Sequence, residues 1–194
     1  MEASRVQRIA RVLNVLVLIA LICNIIVLYL VPAAVLSGGP GLLGGVGSYL
    51  GGIFRPGEDD ILAAGIMGSF LAWIWFWRDL PSMVLTLFLV VSGICTAVIL
   101  WQGRRVLRTI LKGTPFSPEN AVSLRRASVC AFVIAGAALI RVVFSVCYFR
   151  SPEPLLSYNA LFVPIFAMAG LLCLVMSALF RQAAEIKAEN DLTI

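Results

Sequence analysis

The chain has 194 residues, of which 61% are hydrophobic and only 13% charged, with a net charge of +5. A soluble domain of that length carries roughly 25% charged residues, so too little polar surface remains to cover a water-facing globule. Histidine is absent, which removes the commonest general acid/base and the commonest metal ligand.

In chain order, four apolar stretches run over residues 12–36, 81–101, 127–149 and 159–180. Each satisfies the roughly 20 residues that a helix needs to cross a bilayer. The pattern predicts an all-α polytopic membrane protein with four transmembrane helices, forming one membrane domain over 1–194. The first stretch exceeds the about 7–15 residues of a signal-peptide core, so it is read as a retained anchor.

An outer loop over 37–60 follows the first span. It is rich in glycine but lacks the lysine of a phosphate-binding loop, so it reads as a plain surface connection. Residues 61–77 are apolar too, with Trp73, Trp75 and Trp77 near the end and Arg78-Asp79 after them. As a fifth span they would invert the charge distribution, so they are expected to form an extra outer interfacial or re-entrant helix.

Arg5, Arg8 and Arg11 precede span one; Arg104, Arg105, Arg108, Lys112, Arg125 and Arg126 lie between spans two and three; Arg181 and Lys187 follow span four. With alternating spans all fall on one side. The opposite side carries Glu58, Asp59, Asp60, Asp79 and Glu153 against Arg55, Arg78 and Arg150. Positive segments stay in the cytoplasm, so both termini are expected there, with the basic side chains near anionic headgroups.

The connection 102–126 is predicted to be a helical hairpin. Gly113 suits a helix stop, Pro115 blocks continuation, and Ser117-Pro118-Glu119 is a helix start. The tail 181–194 is expected to prolong the last span as a charged helix.

Within the spans Arg141 is the one charge, with Asn24 and Tyr148 as further hydrogen-bonding groups. An arginine at membrane depth is a site candidate, and also a candidate for snorkelling or for structural pairing with Glu58, Asp60 or Asp79. Gly93 with Ala97, and Ala167 with Gly170, permit close helix approach. Cys23, Cys95, Cys130, Cys147 and Cys173 form no C-x-x-C and read as packing residues. No nucleophile elbow or zinc motif emerges and no acid pair lies in a span; Asp59 and Asp60 are adjacent, so on a helix they point differently. The expectation is a non-enzymatic protein without metal or cofactor and without direct nucleic-acid binding. A transporter reading would need dimerisation, because four spans show no repeat.

Two strings carry a resemblance: Gly113-Thr114-Pro115-Phe116-Ser117-Pro118-Glu119-Asn120 with Leu124-Arg125-Arg126, and Phe180-Arg181-Gln182 through Glu189-Asn190-Asp191-Leu192-Thr193-Ile194. With the four spans, they resemble a bacterial integral-membrane family known as domain of unknown function 2975. The resemblance implies an inner (plasma) membrane location, no established enzymatic activity, and frequent company of a small helix-turn-helix regulator. The expected function is therefore regulatory or scaffolding. A cytoplasmic partner would be engaged through Arg104, Arg105, Arg108, Phe116, Glu119 and Arg125 of the hairpin and Glu189, Asn190 and Asp191 of the tail. The alternative is a lipid or small-molecule binder, or a transporter subunit, using an outer-leaflet site around Arg141, Asn24 and Tyr148.

Overall fold

The computed structural model describes residues 2–37, 67–68, 70–74, 79–114, 117–156 and 158–192. Of these, 94% are helical and none forms a strand. Four helices dominate: α1 (Glu2–Ser37), α2 (Leu80–Leu111), α3 (Pro118–Phe149) and α4 (Tyr158–Leu192), with a 3₁₀ turn at Glu153–Leu156. Among the described residues, four helices are long and apolar enough to cross a membrane. Large apolar side chains point outward along them, including Ile140 and Met168 at 70% exposure. A water-soluble chain does not leave such continuous apolar surface bare, so lipid is the covering solvent. The chain is a multi-pass membrane protein.

The helices extend well beyond the apolar stretches. At 1.5 Å per residue, α2 and α3 are about 48 Å long and α4 about 52 Å, against a hydrocarbon core of about 30 Å. Each therefore emerges from the bilayer by several turns. For α4 the excess is the charged tail, helical through Leu192. For α2 and α3 it is residues 102–111 and 118–126, two helix ends joined by the Thr109–Asn120 hydrogen bonds.

The chain divides into two compact units, 1–24 with 94–194, and 25–93. In the first, α3 carries a continuous buried face. Its buried face runs Asn120, Ser123, Ala127, Ala131, Ile134, Ala138 and Val142, at three- and four-residue steps. Mostly small, these side chains let a neighbouring helix approach closely, which matters where apolar lipid removes the hydrophobic drive between helices. Helix α4 packs along α3. A β-carbon added at Gly170 would lie 3.1 Å from the Phe132 ring, so this glycine is part of that fit. Thiols Cys95 of α2 and Cys130 of α3 also meet. The turn out of α3 places Arg150 in the left-handed region (φ 50°), an uncommon conformation for a residue other than glycine.

In the second unit, Asp79 caps α2. Its carboxylate accepts a hydrogen bond from Ser82 Oγ at 3.4 Å, and its carbonyl accepts one from the Met83 amide at 2.9 Å. A β-carbon at Gly93 would meet Leu28 Cδ1 at 2.8 Å, so glycine again permits the approach. Pro32 lies inside α1 and lacks the N–H that the preceding turn needs. In that turn the Tyr29 carbonyl accepts a hydrogen bond from the Trp73 indole at 3.2 Å. Residues 67–68 and 70–74 are helical. The remainder of the expected 61–77 helix, and the glycine-rich loop from residue 38 to residue 60, lie outside the described residues.

The hairpin turn follows from its sequence. After α2, Gly113 has φ +77°. Its amide donates to the Ile110 carbonyl and the Thr114 amide to the Thr109 carbonyl, both at 3.1 Å. This pair of bonds is a Schellman stop, which requires a left-handed residue at the position Gly113 holds. Nothing lies within 4 Å of a β-carbon built there, so the demand is conformational. We predict that Gly113→Ala lowers unfolding free energy by about 1 kcal/mol, the cost of a left-handed alanine, in a mixed-micelle denaturation series. No change would show that the stop does not depend on this backbone conformation.

Candidate functional site

The site is built where α2, α3 and α4 leave the apolar zone. Pro118 opens α3 at its first position, where a missing N–H costs nothing. Ser117 holds the N-cap position with extended backbone, as expected, but its side chain makes no capping bond. Its carbonyl instead accepts the Asn120 amide at 3.0 Å. The polar work falls to Asn120, whose side chain is fully buried. The Asn120 Nδ2 group donates to Thr109 Oγ1 at 2.7 Å. The threonine hydroxyl has one proton, and two acceptors lie within reach: Asn120 Oδ1 at 2.9 Å and the Val106 carbonyl at 2.7 Å. One residue later the Ala121 carbonyl accepts Ser177 Oγ of α4 at 2.7 Å. A single turn of α3 is thus bonded to α2 on one side and α4 on the other.

Around this clasp lie the charged side chains. Arg105 forms an ion pair with Glu119 at 3.7 Å, both substantially exposed. Arg108 occupies the last turn of α2, where the helix dipole favours a cation. Arg125 is exposed, and its carbonyl accepts Ser128 Oγ at 2.7 Å. Trp101, Arg104, Arg105 and Arg108 line a cleft of about 220 Å³. The tail helix is braced by Arg181 Nε donating to Glu185 Oε1 at 3.0 Å, and Glu189 and Asn190 are exposed on it. Phe116 lies outside the described residues, as does the side chain of Asp191.

The structure therefore brings Arg104, Arg105, Arg108 and Glu119 together. Sequence reasoning missed Thr109, Asn120 and Ser177. Asn120 is the last residue of the Gly113–Asn120 string, and its place as the third residue of an N-terminal turn was the available signal.

The second group of expected residues is spread along α1 and α3. Arg141 Nη1 donates to Asn159 Oδ1 at 3.0 Å, at the start of α4. The long stem carries the guanidinium along α3 toward the helix end, which reconciles the charge with its depth. Asn159 is one partner of Arg141; Glu58 and Asp60, two of the acids expected to pair with it, lie outside the described residues. Tyr148 is 51% exposed, stacked on Phe144 and edge-on to Phe149. Asn24 is half-buried, and its Oδ1 has no hydrogen-bond partner among the described residues. Nor is there, among the described residues, a cluster of three or more metal-ligating side chains.

The family described as protein of unknown function (DUF2975) matches residues 59–194, a span that contains both strings and α2 through α4. The chain belongs to this family. Helix α1 and residues 38–58 precede the matched region. No curated protein and no solved structure matches the chain.

Asn120→Ala removes both polar ends of a fully buried side chain and leaves Thr109 with fewer partners. We predict a loss of about 1–3 kcal/mol in unfolding free energy, and faster amide exchange over 106–124 than elsewhere. Exchange unchanged in that segment would refute the clasp.

Proposed function

We propose that this DUF2975 protein is a non-enzymatic membrane regulator or scaffold that presents its hairpin and tail to a cytoplasmic protein. One observation carries the reading. The ends of α2, α3 and α4 project beyond a hydrocarbon core as ordered, charged helices held together by the Asn120–Thr109 and Ala121–Ser177 bonds. Rigid elements carrying exposed charge outside the bilayer support docking of a partner of complementary charge.

Orientation follows the positive-inside rule. Arg104, Arg105, Arg108, Lys112, Arg125 and Arg126 of the hairpin and Arg181 and Lys187 of the tail favour the cytoplasm of a bacterial inner membrane, together with both termini. The proposed partner is a small helix-turn-helix regulator, suggested by the company such family members keep. Its contact set on this chain is Arg105, Glu119 and Arg125 with Glu189, Asn190 and Asp191. Arg141 takes a bracing role through Asn159 and no ligand is assigned to it.

The test is to cross-link and purify the complex from native membranes with the full chain and with a chain lacking residues 189–194. The expected result is a helix-turn-helix protein recovered with the full chain and reduced at least about tenfold with the truncated one, a loss of about 1.4 kcal/mol. Equal recovery from both chains, or no such protein from either, would overturn the proposal.

A further inference from the structure

The cleft on α2 has a composition that the clasp does not explain. Trp101, Arg104, Arg105 and Arg108 stand at steps of three, one and three, so they share one helix face. Three guanidinium groups on one face repel one another unless an anion joins them. Arg105 has Glu119. Arg108 has the carboxyl end of the helix dipole. Arg104 has neither: its Nε is buried and makes no hydrogen bond among the described residues. A buried N–H donor of this kind is costly to leave unmet. Counting three arginines and one glutamate, the cleft keeps a charge of 3 − 1 = +2.

Position along the helix identifies what supplies the anion. Trp101 is 54% exposed and closes the apolar part of α2, the place where tryptophan marks the boundary between acyl chains and headgroups. Two turns back on the same face, Ile94 is 51% exposed. A ligand seated here meets three cations at one end and apolar helix surface at the other. The cleft volume of about 220 Å³ is below the roughly 300–1,000 Å³ of sites that enclose a whole small molecule. An anionic group whose remainder lies outside, along the helix, fits both facts.

We propose that Trp101, Arg104, Arg105 and Arg108 bind the phosphate of an anionic phospholipid of the adjoining leaflet. Arg104 and Arg108, one turn apart, clamp the phosphate oxygens, with guanidinium geometry suited to paired hydrogen bonds. Arg105 divides its charge between the phosphate and Glu119. The indole of Trp101 lies at the glycerol level, and an acyl chain follows the face marked by Ile94. The site does not depend on which side of the membrane the hairpin occupies, nor on any protein partner.

The experiment reconstitutes the full chain in phosphatidylcholine nanodiscs containing a minor fraction of phosphatidylglycerol. Lipid retained after extraction is counted by native mass spectrometry. The wild type is expected to retain phosphatidylglycerol in preference to phosphatidylcholine. Arg104→Gln should lower that retention about fivefold, the worth of one basic residue near an anionic surface. Arg104→Lys, which keeps charge but loses the paired geometry, should fall between the two. Arg126→Gln, an exposed arginine of the same hairpin outside the cleft, should leave retention unchanged. Equal losses for Arg104→Gln and Arg126→Gln would overturn the site in favour of diffuse charge. Displacement of the lipid by millimolar inorganic phosphate would overturn the lipid as the source of the anion. If Arg104→Gln fails to fold, Arg104→Lys and Trp101→Leu carry the test, and wild-type retention from either would overturn the proposal.

Discussion

The hydrogen bonds made by one turn of α3 hold the structure in the form that matters. Asn120 reaches Thr109 on α2, and the next carbonyl, of Ala121, takes the hydroxyl of Ser177 on α4. Between helices in lipid, apolar contact gives no hydrophobic drive, so close packing and interhelical hydrogen bonds set the arrangement. Packing is supplied by the alanine-rich face of α3 and by Gly170 against Phe132. The hydrogen bonds fix register at the end where the helices leave the hydrocarbon. Without that fixed register the charged extensions would be three independent helix ends.

Much of this was legible in the sequence, for physical reasons. Membrane spans announce themselves because about 20 apolar residues have no other solvent. The hairpin was legible because Gly113 and Pro118 each have few conformational options, and both sit where the stop and the start occur. What stayed hidden depends on side chains meeting across helices. Ser117 resembles a capping serine, yet the buried amide three residues on makes the decisive bond. Arg141 stood out as a charge at depth, but nothing in the linear order pointed to its hydrogen bond with Asn159. Arg104 looked like one member of a basic row. Only the burial of its Nε separates it from its neighbours.

The family string Gly113–Asn120 gains a physical content from these contacts. Gly113 forms the stop, Pro118 the restart, Glu119 pairs with Arg105, and Asn120 makes the lock. The string is thus the fastening of the hairpin, and the exposed charges it carries into place are what a partner would meet. The proposed lipid site shares Arg105 with this fastening and runs from it along α2 to Trp101. One helix end would then serve two neighbours, lipid at the interface and protein beyond it.

The proposed docking role presumes that the hairpin faces the cytoplasm, and that is open to direct measurement. In a variant lacking the five native cysteines, Thr114→Cys places a single thiol in the exposed hairpin turn. A membrane-impermeant maleimide is applied to intact cells and to permeabilised cells. The account predicts labelling only after permeabilisation. Labelling of Cys-substituted position 114 in intact cells would put the hairpin outside and contradict the central claim.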